Sequence, residues 1–128
     1  MNKVVAHFLN GSVAKGLTVD FTPVKDRFHL VTEGAPPREI LLADLKGLFF
    51  VRDLEGDLGH AKSNLFQAGD LTPGRRIRVD FKDGETLLGV TQAYTPGRSG
   101  FFVIPADRQS NTERAYIVTA ATREVAFL

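Results

Sequence analysis

The side chains able to do chemistry are few and scattered. The histidines are three, His7, His29 and His60, and no two of them lie at metal-ligand spacing. A zinc site needs convergent His or carboxylate ligands, so these are read as surface or half-buried side chains. Asp53, Glu55 and Asp57 alternate along the run RDLEGDLG, but the closing glutamate of a D-x-D-x-D-G-x₅-E calcium loop is missing, which leaves a solvated turn. There is no G-x₄-G-K-[ST] phosphate loop and no R-x₃-R with D-x-S-x-x-G, the pair a cyclic-dinucleotide reader of the PilZ type would carry. The fragment TPGRSG places Arg98 among glycines, where a phosphate could be held, although the same composition makes an ordinary hairpin loop. The absence of cysteine removes thiolate ligands and a Cys nucleophile. With no nucleophile–base pair in view, no enzyme is expected, and no metal or cofactor.

Two surfaces remain. Arg75, Arg76 and Arg78, with Lys82, Arg98 and Arg123, could form a stripe for a nucleic-acid backbone. Acidic Asp80 interrupts it, and the arginines alternate with Ile77, Val79 and Phe81 as on any solvated strand. The formal net charge is only +1, from 16 basic and 15 acidic residues, where a dedicated nucleic-acid or membrane-surface protein carries a larger excess. The second surface is apolar: Val5, His7 and Leu9 on one strand, Phe49 and Val51 on another. Exposed apolar patches mark interfaces, so Val5, Leu9, Phe49 and Val51 are candidates for a protein contact, unless another part of the chain covers them.

The elements that must position these residues come in two copies. A shift of 73 positions lays residues 4–31 over 77–104 without a gap: Phe8 meets Phe81, Gly11 meets Gly84, Gly16 meets Gly89, Thr22-Pro23 meets Thr95-Pro96, and Phe28 meets Phe101. Four extra residues in the second copy then bring 40–51 over 117–128, with Ile40 on Ile117 and Phe50 on Phe127. Each copy reads as five short strands. Asn10-Gly11 and Asp83-Gly84 close the first hairpins, as type I′ turns with positive φ at both central positions. The second strand runs to Phe21 or Tyr94, and Thr-Pro ends it because proline has no N–H for a ladder. Third strands hold 28–31 and 101–104. The last two strands of each copy flank Ala-Asp-Leu-Lys or Ala-Ala-Thr-Arg, read as a single 3₁₀ turn.

Alternation in the second copy points Ile77, Val79 and Phe81 inward. Register then points Val4, Ala6 and Phe8 inward and makes the outer set of the first copy apolar. The expected fold is all-β: two tandem five-stranded small barrels, residues 1–51 and 75–128, which could pack as one unit around a shared core. A barrel of about 50 residues is marginal alone. Residues 52–74 form the connector, expected to be ordered because Leu65, Phe66 and Leu71 need a surface to bury against.

The pattern V-x-V-x-F-x-D-G-x₄-G-x₄-[FY], with a loop, a Phe-rich strand and two short final strands after it, resembles the SH3-like and Sm-like small barrels across both copies. The resemblance implies a fold rather than a site. In the loop after the second strand, where the Sm-like family places an acidic residue and an asparagine on RNA, this chain has Thr22 to Arg27 and Thr95 to Gly100, of which only Asp26, Arg27 and Arg98 are chemically suggestive. The N-terminal helix common in that family is not expected here, since the first strand is read to begin at about Lys3. The stretch KGLFFVRDLEGD (46–57) also resembles an uncharacterised bacterial domain-of-unknown-function family.

These observations lead to a non-enzymatic binding or scaffold module that associates with itself or with another protein through apolar strand surfaces. One alternative is an Sm-like RNA- or DNA-binding protein. Another is a regulatory domain that takes a nucleotide or other anionic ligand through its Thr-Pro loops. The N-terminus lacks a signal-peptide apolar stretch and no segment approaches the ~20 apolar residues of a membrane span. With no cysteine, a reducing cytoplasm is expected.

Overall fold

A computed structural model of the chain describes residues 1–56 and 63–128. The protein is all-β, and the described residues form ten strands: β1 (Asn2–Phe8), β2 (Val13–Thr18), β3 (Arg27–Leu30), β4 (Arg38–Leu41), β5 (Leu45–Val51), β6 (Arg75–Phe81), β7 (Thr86–Thr91), β8 (Gly100–Pro105), β9 (Thr112–Val118) and β10 (Thr122–Phe127). A 3₁₀ turn, Leu42–Asp44, joins β4 to β5, and another, Thr119–Ala121, joins β9 to β10. Among the described residues no helix is long and apolar enough to cross a membrane. His60 and Asp57 lie outside the described residues.

The first hairpins form where the sequence puts glycine, but by a different turn. Gly11 N–H donates to Phe8 O and Phe8 N–H to Ser12 O, enclosing the three-residue loop 9–11. Gly84, Phe81 and Glu85 repeat this in the second half. Gly11 and Gly84 have φ of +88° and +94°, and among the described residues none other than glycine has positive φ. The expected type I′ turn, which would put Asn10 and Asp83 in that region too, is therefore replaced by a three-residue loop with only its last residue left-handed. The Asx side chains favour it: Asn10 Oδ1 accepts from Ser12 N–H at 2.9 Å, and Asp83 Oδ1 from Glu85 N–H at 2.9 Å. The second strands stop at Thr18 and Thr91, short of Phe21 and Tyr94.

Ladders in the two halves match. The strand order β10-β6-β7-β8-β9-β5-β1-β2 makes one eight-stranded sheet, and β3-β4 makes a two-stranded one. Leu17 and Val31 bridge the two through paired backbone hydrogen bonds of 2.8 and 2.9 Å. Thus β5-β1-β2-β3-β4 in the first half corresponds to β10-β6-β7-β8-β9 in the second. One further pairing, absent from the sequence reading, joins the halves: β5 lies antiparallel to β9, with Gly47 opposite Ile117 and Phe49 opposite Ala115. Gly47 permits the close approach, because a Cβ there would stand 2.9 Å from the Tyr116 carbonyl oxygen.

This joint explains why several strands are apolar on both faces. Two cores lie on either side of a shared wall. On β1, Val4 and Ala6 face the core of the first half, with Phe28, Leu30 and Ile40, while Val5 faces the core of the second, with Ile77, Val79 and Phe81. On β5, Leu48 and Phe50 go one way, Phe49 and Val51 the other. On β9, Ala115 and Ile117 pack into the second-half core while Tyr116 and Val118 cross into the first. The period of two divides each strand between two cores instead of between core and solvent.

The connector is partly tied down. Asn64 donates to Thr86 O at 3.0 Å, and Ser63 N–H donates to Asp107 at 3.1 Å. Phe66 lies beneath the Arg76 guanidinium at 4.4 Å. The expectation that Leu65 and Leu71 would also be buried does not hold: they are 76% and 90% exposed, and the anchors of this segment are the polar Ser63 and Asn64 and the Phe66 ring under Arg76.

Candidate functional site

Each Thr-Pro loop is a tight turn: Lys25 N–H donates to Thr22 O, and Arg98 N–H to Thr95 O, both at 3.3 Å. Each is then fastened to the 3₁₀ turn of its own half, through Leu42 N–H to Asp26 O and Thr119 N–H to Ser99 O, both 2.9 Å. The β5–β9 joint brings these two assemblies together. Between them lies an open cleft of 730 Å³, lined by 23–27, 41–43, 97–99 and 118–120 with Tyr116. A second groove of 420 Å³ shares Pro23, Arg98 and Tyr116 with it and continues along Phe102 toward Arg114.

The cleft lining is mostly apolar, with Lys25, Arg27 and Arg98 as its basic residues, and Lys25 and Arg98 are exposed. Pro23, Val24, Leu41, Leu42, Tyr116 and Val118 supply the apolar surface. Arg27 is occupied: its guanidinium meets Asp26 at 3.0 Å and Glu39 at 3.2 Å. The hydrogen bonds and charge of Arg27 hold the Asp26 carboxyl below its ordinary range, and Asp26 holds Arg27 above its own. Lys25 and Arg98 have no side-chain hydrogen bond or ion pair among the described residues. Two buried hydroxyls also lack a partner there, Thr22 Oγ1 beside Pro23 and Thr119 Oγ1 in the cleft wall. An unpartnered buried hydroxyl is unusual. The arrangement can accept an anionic group at Lys25 and Arg98 while covering an apolar body against the walls.

Of the four apolar candidates, Val5, Phe49 and Val51 are covered by another part of the chain and Leu9 is not. Val5, Phe49 and Val51 are buried in the second-half core, so they present no surface to another molecule; Leu9, at the hairpin tip, is 57% exposed. His7 packs edge-on against Phe49, ring centroids 4.5 Å apart. His29 Nδ1 lies 2.6 Å from Asp20, whose other oxygen accepts the His29 backbone N–H, and this backbone bond is the main cause that lowers the Asp20 carboxyl.

The basic stripe is not assembled. Arg75 stacks on Phe127 at 3.7 Å, Arg76 covers Phe66, and Arg78 bonds Asp80 at 3.1 Å and approaches Glu124 at 3.6 Å. Arg98 stands apart from them in the cleft. Asp80 is buried instead of solvated, its oxygens taken by the Thr86 hydroxyl at 2.9 Å and by Arg78; the Thr86 hydroxyl, the largest cause, holds its carboxyl low. The stacking of Arg114 over Phe50 and Phe102, at 4.2 and 5.0 Å, was not anticipated. Its only sequence signal is an arginine between strand residues, which many strands show.

Over residues 1–128 the chain matches a family described only as a family of unknown function (DUF6982). No curated protein matches it, and no solved structure does.

Proposed function

The chain belongs to this family of unknown function, and on its geometry we propose that it is a non-enzymatic binding module that holds a small anionic ligand with an apolar body in the cleft between its Thr-Pro loops. One observation carries this reading: Lys25 and Arg98, from corresponding loops of the two halves, line one largely apolar cleft, and neither side chain has a partner among the described residues. Each half is read as a small barrel of the SH3-like type that acts mainly as a mount for its loop. The cleft contains no histidine and no cysteine, and its single carboxylate, Asp26, is tied to Arg27. That composition favours binding over turnover. A cysteine-free chain with this site fits a cytoplasmic sensor or regulatory domain.

A nucleic-acid reading finds less support. Arg75, Arg76 and Arg78 are each engaged within the chain.

Titration calorimetry with an aryl sulfonate probe, and separately with inorganic phosphate, tests the proposal. Loss of a charged hydrogen bond is worth about 1.5–3 kcal/mol, so Arg98→Ala should weaken probe binding by about tenfold or more. Arg75→Ala, on the far strand, should leave it unchanged. Equal binding by wild type and a Lys25→Ala, Arg98→Ala double variant would refute the cleft. Tight binding of single-stranded RNA that falls steeply with salt would favour the nucleic-acid alternative.

A further inference from the structure

The pairing of β5 with β9 is a joint between equivalent halves, and each half carries both of its components. The corresponding strands left over are β10, equivalent to β5, and β4, equivalent to β9. Each is hydrogen-bonded on one side only among the described residues, β10 to β6 and β4 to β3. They are the two ends of the ladder. We infer that β10 of one chain pairs antiparallel with β4 of a second copy, repeating the internal joint between chains. This goes beyond the cleft reading and does not depend on it.

Register transfers from the internal joint by the 77-residue offset of the last two strands. Glu124 then stands opposite Ile40, and Ala126 opposite Arg38. On one face Glu124 is diagonal to Arg38; on the other Arg123 is diagonal to Glu39. Diagonal cross-strand neighbours lie within reach of long side chains, and both pairs are of opposite sign. The internal joint has Gly47 and Ala115, Lys46 and Tyr116 at these places, so the charge complementarity belongs to the outer edges alone. Their present partners do not forbid the exchange: Arg27–Glu39 and Arg78–Glu124 are surface pairs, about half exposed, of the kind worth little.

The same comparison sets the strength. Glu124 replaces the Gly47 that allows close approach, and Pro37, at the position of Arg114, removes one backbone donor. The outer joint is therefore weaker than the inner one and reversible. Charges and proline also keep such an edge from pairing indiscriminately. Each chain offers one β10 and one β4, so the contact is heterologous: it closes into a ring or runs on as a filament according to the rotation per chain.

Sedimentation of the full chain over a wide concentration range should show mass rising reversibly above the 14.0 kDa of one chain. Two variants reverse one edge each: Arg123→Glu with Glu124→Arg on β10, and Arg38→Glu with Glu39→Arg on β4. Each alone should lose association, while an equimolar mixture regains it, since every contact between unlike variants has opposite charges restored. Thermal melts of each variant check that it is folded. A wild type that stays at one-chain mass, variants that associate alone as wild type does, or a mixture of folded variants that fails to associate would each overturn the proposal.

Discussion

The Lys46 ammonium lies 2.7 Å from the Asp83 carboxylate, a bond between β5 of the first half and the hairpin turn of the second. Glu85 accepts from the same ammonium at 2.6 Å, and the Phe81 ring lies beneath it at 4.5 Å. Only 12% of the Lys46 side chain is exposed. Burial works against its charge, but the Asp83 and Glu85 hydrogen bonds outweigh that and hold Lys46 above its ordinary 10.5. The same contact, with the Glu85 backbone N–H, holds Asp83 below its ordinary 3.8.

Removal of the two carboxylates should cost more than removal of the cation. Asp83→Asn with Glu85→Gln leaves a largely buried ammonium with neutral partners and should destabilise by about 1 kcal/mol or more. Lys46→Met keeps the packing on Phe81 and should cost less than about 1 kcal/mol. Urea melts of both variants make the comparison, and a larger loss for Lys46→Met would contradict it.

The pH dependence has a definite sign. Asp83, depressed in the folded state, contributes stability that is present above 3.8 and lost as pH falls through its folded value. Lys46, raised in the folded state, contributes stability that is full below 10.5 and lost as pH rises through its folded value. Between these limits the pair should be insensitive to pH. In Asp83→Asn the acid-side loss should shrink, which chemical denaturation at stepped pH can measure.

Phe49 reports on the shared wall. It is 7% exposed and lies in the second-half core although it belongs to the first half. Phe49→Ala should destabilise by about 3–5 kcal/mol, and near-ultraviolet dichroism of Tyr94 and Tyr116 should be lost in one transition. Two separate transitions, with one half surviving, would show that the wall is not shared.

Glycine positions separate strain from crowding. Gly84→Val forces a branched residue to a φ of +94° with nothing near its Cβ, at a cost of about 1–3 kcal/mol. Gly89→Ala puts a Cβ into the Ile104 carbonyl and the Val103 side chain, so it should open the β7–β8 ladder. Hydrogen exchange should show the loss at Val90 and Ile104 for Gly89→Ala, and only at the turn for Gly84→Val.

The matching strand order of the two halves is legible because turns, glycines and core aromatics recur at one offset, and similar residues favour a similar ladder. The apolar outer face of the first half is legible for the same reason, as a departure from its charged counterpart. The β5–β9 pairing is not, since backbone pairing leaves its mark only in Gly47, and a glycine in a strand has several readings. Asp80 misleads because alternation assigns a face but not what folds over it. The cleft cannot be read locally at all: its loops lie on separate copies and meet only through the joint. Lys25 and Arg98 look like ordinary turn residues until both stand at one opening.

The joint also sets an order of assembly. Gly47 and Ile117 are partners across 70 positions of chain. Contacts of such separation form late, after the entropy of closing the intervening loop has been met. During synthesis the first half leaves the ribosome with Val5, Phe49 and Val51 uncovered and the β9 side of β5 unpaired. It stays so until almost the last strand is made. Such an edge is open to mispairing with other nascent chains, and a slower segment or a chaperone acting over residues 52–111 would alter the yield of native protein more than the same delay near either end.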